Sequence, residues 1–252
     1  MSKVIAVFGA GTGLGVSVAR RFGREGFRVA LVARRKDRLD ALVARLADEG
    51  IEAAAFPADL SDPTGVPALV AAIREHFGRI DVIEYGPIGG DVSFAPAAQL
   101  DAATLEAYSR LLLLTPVEVV RAVLPEMTGR GDGAVLVTTG LTALHPTPNL
   151  SGPGPLMSAV RNYVYCLNGE LAGTGVYAGT LTIGAMITGS EAAENAQVSP
   201  QGETDVSFDG MEFPVVHPDE LAEHYWDMYT RRDRVEQAHP TALLAHSGTG
   251  AA

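Results

Sequence analysis

The stretch Val4-Ile5-Ala6-Val7-Phe8-Gly9-Ala10-Gly11-Thr12-Gly13-Leu14-Gly15 decides how the rest of this chain is read. A short apolar run suited to a buried strand breaks into glycines at 9, 11, 13 and 15, and a helix-like stretch from Val16 to Glu25 follows. Strand, glycine turn and helix, in that order, make the layout that holds a dinucleotide diphosphate. Residues without a Cβ let phosphates reach the backbone, and the helix start offers unpaired N–H groups and the positive end of its dipole. The spacing is G-x-x-x-G-x-G rather than the commoner G-x-G-x-x-G, so the flanking strand and helix carry as much of the reading as the glycines. Gly9, Gly11, Thr12, Gly13, Leu14 and Gly15 are the expected nucleotide contacts; the alternative is a merely structural tight turn.

Outward from this turn, strand-like and helix-like segments alternate. Val29–Ala33, Ile51–Phe56, Ile80–Ile83, Ala134–Thr138 and Val176–Ile183 read as further strands. Helices are expected over Asp37–Glu49, Thr64–Phe77, Ala102–Met127 with a bend at Thr115-Pro116, Ser158–Leu171 and Pro218–Arg231. The start of the Ser158–Leu171 helix is expected to be stiffened by Ser151-Gly152-Pro153-Gly154-Pro155 or delayed past Pro155. The alternation predicts an α/β fold: a single Rossmann-type, doubly wound parallel sheet flanked by helices on both faces. Ligands in such sheets sit beyond the carboxyl ends of the strands, where the strand order reverses. One domain is expected over 1–252. Within it, 189–215 lacks a clear period and reads as a long loop, either a lid over the site or a surface insertion. The tail within 241–252 reads as frayed.

The bulk composition excludes several classes. Hydrophobic residues make up 47% and charged residues 19%, which argues for a packed core rather than disorder. Thirty acidic against 19 basic side chains leave a net charge of −11, which disfavours nucleic acid and anionic membrane surfaces as partners. The single cysteine, Cys166, excludes an internal disulfide, and its apolar helical setting predicts a small buried side chain. Met-Ser-Lys enters the first strand at once and no apolar run has membrane-spanning length, so a cytoplasmic protein without a leader is expected. The six histidines are scattered without ligand spacing, His217 and His224 being seven apart, and no metal site is expected.

Arg34-Arg35-Lys36 follows the second strand, where an acidic residue would accept from a ribose 2′-OH in an NAD site. Guanidinium groups match a 2′-phosphate, so the sequence favours NADP(H) over NAD(H); the alternative is a solvated basic start to a helix. Asp59, before Leu60, either reaches an adenine amino group or caps a turn with Ser61 and Asp62.

These landmarks together resemble the short-chain dehydrogenase/reductase family over nearly the whole chain. The residues that carry it are Gly9, Gly13 and Gly15, the run ending at Arg35, Ala58-Asp59-Leu60, Ile80-Asp81-Val82-Ile83, Val123 to Met127, and Gly184 with Thr188. The resemblance implies an NAD(P) cofactor, carbonyl–alcohol redox chemistry, and pairing through the helices at 102–127 and 158–171 into a homodimer or homotetramer. The stripe Val160, Tyr163, Val164, Leu167 and Leu171 serves either that contact or the core. The family works through a Tyr-x-x-x-Lys pair, a serine before it and an asparagine on the long helix. A lysine ammonium lowers the phenol's pKa so that it can pass a proton.

This chain departs at every one of those points. It has two lysines, Lys3 and Lys36, neither on the expected helix. Aligned on Val135–Thr139, the serine position holds Gly140; thirteen residues on, the tyrosine position holds Pro153, and the lysine position holds Met157. Leu112 stands at the asparagine position, and Tyr85-Gly86-Pro87-Ile88 replaces the family's Asn-Asn-Ala-Gly turn, with Gly86 at the cofactor's edge. The substitute proton donors to test are Thr139, His145 and Tyr85, while Tyr163 and Tyr165 read as core or interface. The expectation is an NADP(H)-binding member acting on a small organic molecule by a non-standard proton route. The alternatives are a redox-inactive NADP(H)-binding regulator or partner, and a non-redox cyclase or isomerase.

Overall fold

Ten strands form among the residues that the computed structural model describes, which are 2–88, 92–190, 193, 205–208 and 211–246. They are β1 (Val4–Phe8), β2 (Arg28–Ala33), β3 (Ala53–Pro57), β4 (Val82–Tyr85), β5 (Gly133–Gly140), β6 (Val176–Ile183), β7 (Met186–Ile187), β8 (Asp205–Phe208), β9 (Met211–Val216) and β10 (Glu236–His239). Seven of them make one all-parallel sheet in the order β10-β6-β5-β4-β1-β2-β3. Every residue of β1 and of β6 is buried. That is why these segments read as unbroken apolar runs instead of alternating ones: parallel strands are covered on both faces.

The cover is supplied by α1 (Leu14–Gly23), α2 (Lys36–Asp48), α3 (Val66–Phe77), α4 (Ala102–Ser109), α5 (Thr115–Arg130), α6 (Gly154–Glu170) and α7 (Pro218–Arg231). Helices α1, α2 and α7 bury Phe22, Leu39, Leu42, Leu221 and Tyr225 on one face of the sheet. Helices α3, α5 and α6 bury Val70, Ile73, Val123, Val160 and Val164 on the other. At the amino-terminal edge, the Asp81 carboxylate accepts the Val4 N–H at 2.8 Å and pairs with Arg79 and Arg130. With Asp81 so committed, β4 begins at Val82 and not at Ile80, two residues later than its apolar run suggests.

Three expectations are corrected. No simple bend occurs at Thr115-Pro116. A π-turn over Arg110–Leu114 joins α4 to α5, the Thr115 N–H reaching back to the Arg110 carbonyl. Proline has no N–H to give, so the Leu111 carbonyl loses a helical partner, and the Tyr85 hydroxyl takes it at 2.6 Å instead. Helix α6 is not delayed past Pro155: it starts at Gly154, with Pro155 in its first turn, where a missing N–H costs nothing. Nor is 189–215 simply a loop. β8 and β9 pair antiparallel, Phe208 opposite Met211, and β9 adds β7 in parallel, giving a small three-stranded flap. The rest of that segment, 191–192, 194–204 and 209–210, lies outside the described residues, as does the end of the tail, 247–252.

The junction of α1 with α7 is the most aromatic part of the core. Phe22, fully buried, meets Trp226 at 5.1 Å, Phe27 at 5.3 Å and Tyr229 at 5.5 Å between ring centroids. Phe22→Ala is expected to cost about 3–5 kcal/mol, the range for truncating a buried aromatic, and to lower the melting temperature by roughly 10 °C in a chain of this size. Scanning calorimetry reads it; a loss under about 1 kcal/mol would show that this junction collapses around the gap.

Candidate active site

The chain leaves β1 toward β2 on one side and, after β3, returns to β4 on the other. The crevice of this sheet therefore opens above the carboxyl ends of β1 and β4. Gly9, at φ +96°, stands there with its back to Pro87: a Cβ on it would lie 2.6 Å from the Pro87 backbone. A Cβ on Gly15 would lie 2.8 Å from the Cα of Ala10, so α1 starts directly against the turn. The Gly9 and Ala10 N–H groups both donate to the Val32 carbonyl at 2.9 Å, fixing the turn to the end of β2.

Helix α1 carries no side-chain cap and no acid in its first turn, and Gly11 borders open space. Its orphan N–H groups and dipole are thus available to an anion. Leu14 packs on the core below, anchoring the helix start. The Thr12 hydroxyl donates to the Gly189 carbonyl at 2.8 Å, and Gly13 lies against Ser190, so the root of the flap abuts the turn. Arg34 and Arg35 are exposed at the end of β2, on the same rim, with Arg35 as the first residue before α2. A diphosphate at α1 and a further phosphate at these guanidinium groups suit the residues present.

The remaining cofactor-side candidates divide. The Gly86 N–H donates to the Phe8 carbonyl at 3.0 Å, tying the ends of β4 and β1 together. Gly184 bonds to the His239 carbonyl at 2.8 Å, at the end of the main sheet, and Thr188 to the Val216 carbonyl at 3.0 Å, within the flap. The Asp59 carboxylate accepts the Ser61 N–H at 2.9 Å, the turn-capping arrangement of its two readings. Leu60 is buried, and its carbonyl accepts the Thr115 hydroxyl at 2.7 Å.

Of the candidate proton donors, Tyr85 and Thr139 have their hydroxyls engaged inside the fold. Tyr85 is buried against the core with its hydroxyl on Leu111, and burial pushes its pKa well above the ordinary phenol range. Thr139 is fully buried and points into the α6 face, 2.7 Å from the Thr182 hydroxyl. His145 donates its Nε2 proton to the Leu243 carbonyl at 2.8 Å, leaving Nδ1 as its open nitrogen. Tyr163 half-covers the core, and the Tyr165 hydroxyl donates to Glu236 at 2.6 Å. Cys166 is exposed, not buried as its apolar neighbours suggest, because it lies on the outer face of α6.

The residues read from the sequence as standing at the family's catalytic positions, Leu112, Gly140, Pro153 and Met157, are all apolar. Leu112 is buried in the π-turn. A Cβ on Gly140 would meet the Met157 sulfur at 3.0 Å, so this thioether fills the space between β5 and α6. Pro153 stands just before α6 and its carbonyl accepts the Met157 N–H at 2.9 Å. The Ser93 backbone lies against Gly152, and the Ala95 carbonyl accepts the Ser151 N–H at 3.0 Å. Arg161, one turn beyond Met157 on α6, is bound to Glu236 on β10.

Two buried carboxyls escaped the sequence reading. Glu236 sits under α6, where burial opposes its charge, but hydrogen bonds from Arg161, Thr182 and Tyr165 outweigh that and hold its pKa below the ordinary range. Glu84 sits in β4 beneath Gly86 and has no cation. Burial pushes its pKa up to about 8, against the single hydrogen bond from Thr138 at 2.8 Å. With the Thr138 proton so used, the Tyr225 hydroxyl donates to Thr138 at 2.6 Å. One acid inside the otherwise apolar run Val82-Ile83-Glu84-Tyr85 was the available signal.

The sequence model of the short chain dehydrogenase family matches residues 3–199. A short chain dehydrogenase of Pseudocercospora fijiensis is 28% identical over 73% of this chain. A fatty acyl-CoA reductase of Mycobacterium tuberculosis is 30% identical over 71% of it. The matched stretch spans 60% and 61% of those two relatives' lengths. A putative ketoacyl reductase of Streptomyces coelicolor is 29% identical over 88% of each chain. A short-chain dehydrogenase of Sphingobium yanoikuyae, solved in complex with NADPH, superposes at a TM-score of 0.79 with 27% identity, covering 96% of this chain and 90% of its own. Among the described residues no helix is long and apolar enough to cross a membrane.

Glu84 makes a pH prediction. Its folded pKa, about 8, lies above the ordinary 4.5, so folding favours the protonated form. The stability it supports is full below the ordinary value and is lost as pH rises toward the folded one, at no more than about 1.4 kcal/mol per pH unit. Glu84→Gln is neutral throughout, so the variant should gain on the parent between about pH 5 and pH 8 and then hold its lead. Denaturant melts across that range check this; a gap that stays flat would mean that Glu84 is ionised in the fold.

Proposed function

The chain belongs to the short-chain dehydrogenase family, and on that footing we propose that it holds NADP(H) over β1 and β4 and acts as an oxidoreductase on a small organic substrate, without the family's tyrosine–lysine pair. The observation that carries this reading is the glycine turn tied to the end of β2, with Arg34 and Arg35 on the same rim. The likeness to a solved NADPH complex supports it.

Bound nicotinamide supplies or accepts a hydride. The chain's own residues do the rest. The α1 N-terminus receives the diphosphate, the two arginines receive the 2′-phosphate, and Gly86 and Gly184 with Thr188 edge the nicotinamide side. Leu112, Gly140 and Met157 make a wall that favours an apolar substrate and leaves the proton to water or to the substrate itself. The apolar groove between α5 and α6, where Val117, Leu124, Tyr163 and Leu167 meet, is the face for pairing into a homodimer or homotetramer.

A second reading, NADP(H) binding without turnover, is favoured by one observation. Both lysines are engaged away from α6, Lys3 with Asp132 and Tyr229, Lys36 with Asp40.

Calorimetric titration with NADPH beside NADH tests the common premise. NADPH should bind at least about 10-fold tighter, and Arg34→Ala with Arg35→Ala should remove roughly 1.5–3 kcal/mol of that binding, the worth of hydrogen bonds between charged groups. Equal affinity for the two, or no binding, contradicts the assignment. Absorbance of the nicotinamide during incubation with apolar ketones then separates the readings. Turnover by the parent supports the oxidoreductase. Turnover only after Gly140→Ser, Pro153→Tyr and Met157→Lys together supports the silent binder and the alignment.

A further inference from the structure

Two histidines far apart along the chain are brought together by the fold. His224 stands on α7, one turn beyond Glu220 and on the same face, and His239 ends β10 beside them. His224 Nε2 lies 3.3 Å from His239 Nδ1, and that same Nδ1 lies 3.6 Å from a Glu220 oxygen. One ligand atom from each of the three residues falls within 4.8 Å of the other two. Both imidazoles are partly buried, while Glu220 is exposed and leaves the cluster open to solvent.

An imidazole nitrogen offers either one proton or one lone pair, so the His239 Nδ1 that pairs with His224 at 3.3 Å does not also bond the Glu220 oxygen, which lies 3.6 Å away and faces solvent. A cation among the three takes a lone pair from each. The spacing suits one as well: ligand bonds of about 2.0–2.1 Å at tetrahedral angles put neighbouring ligand atoms roughly 3.3 Å apart. Asp227, the other acid nearby on α7, is committed to Arg231 and Arg234 and is not needed.

The geometry points to a divalent transition-metal site, of zinc type, formed by Glu220, His224 and His239 with water as the fourth ligand. Two imidazoles and a carboxylate are a donor set that zinc accepts. The site braces the molecule where the flap is rooted. The His239 carbonyl holds the Gly184 N–H, and four residues on, the Leu243 carbonyl holds His145. Metal at His239 therefore pins the first turns of α7 to the strand end that carries both contacts.

The experiment is a calorimetric titration of the untagged, full-length protein with Zn2+, beside His224→Gln, Glu220→Gln, His217→Gln and Cys166→Ser. The expected result is one equivalent bound, with a rise in melting temperature. His224→Gln should weaken it by more than the roughly 10–100-fold cost of losing an outer-sphere partner, while His217→Gln and Cys166→Ser leave it unchanged. Co2+ bound in place of zinc should give the intense visible absorption of a four-coordinate ion. Glu220→Gln, at an exposed position, keeps the test open if His224→Gln folds poorly: it too should weaken the metal. Absence of stoichiometric binding, a weak six-coordinate cobalt spectrum, or affinity indifferent to both Glu220→Gln and His224→Gln overturns the assignment.

Discussion

The backbone contact between Gly9 and Pro87 is the constraint on which the rest of this structure depends. β1 and β4 are neighbours whose connections depart in opposite directions, and their carboxyl ends meet where no Cβ fits between them. Because that contact is close, the Gly9 and Ala10 N–H groups can share the Val32 carbonyl, and α1 can start against Ala10 with its dipole aimed over the crevice. The arginines at the end of β2 and the flap root at Gly189 and Ser190 are brought to the same rim by the same geometry. A larger residue at position 9 would strain the backbone and part the strands at the point where a ligand must sit.

Two opposite solutions to burying polarity surround this crevice. Toward β10, Glu236 is kept charged by Arg161, Thr182 and Tyr165, a fully partnered network that locks α6 to the edge of the sheet. Beneath Gly86, Glu84 has one hydroxyl partner, Thr138, and its environment favours the neutral acid. Gly140, Pro153 and Met157, where β5 meets α6, add no charge of their own. In the function proposed above, these three residues stand where the family's proton-transfer side chains would.

Much of this was legible in the sequence. Continuous apolar runs mark the parallel strands, and the glycine turn marks the end of β1 at the crevice. What was not legible depended on contacts between distant residues. No local pattern says that the Tyr85 hydroxyl will serve the carbonyl that Pro116 strands, or that Thr139 will turn inward to Thr182. The proximity of His224 and His239 arises only when β10 docks beside β6. The hairpin of β8 and β9 is a different case. Asp209-Gly210, between alternating Val206/Phe208 and Met211/Phe213, is a hairpin signal that the proline and acids around it obscured.

The account's central claim is local: a dinucleotide lies on the turn at Gly9–Gly15 and extends to Arg34-Arg35. Amide hydrogen exchange, followed by mass spectrometry with and without NADPH, tests it at peptide resolution. The account predicts slowed exchange in the peptides spanning Gly9–Val16, Ala33–Lys36 and Gly86–Ile88, with the outer face of α6 unchanged. Protection absent from the Gly9–Val16 peptide, or confined to surfaces away from the carboxyl ends of β1 and β4, would contradict it.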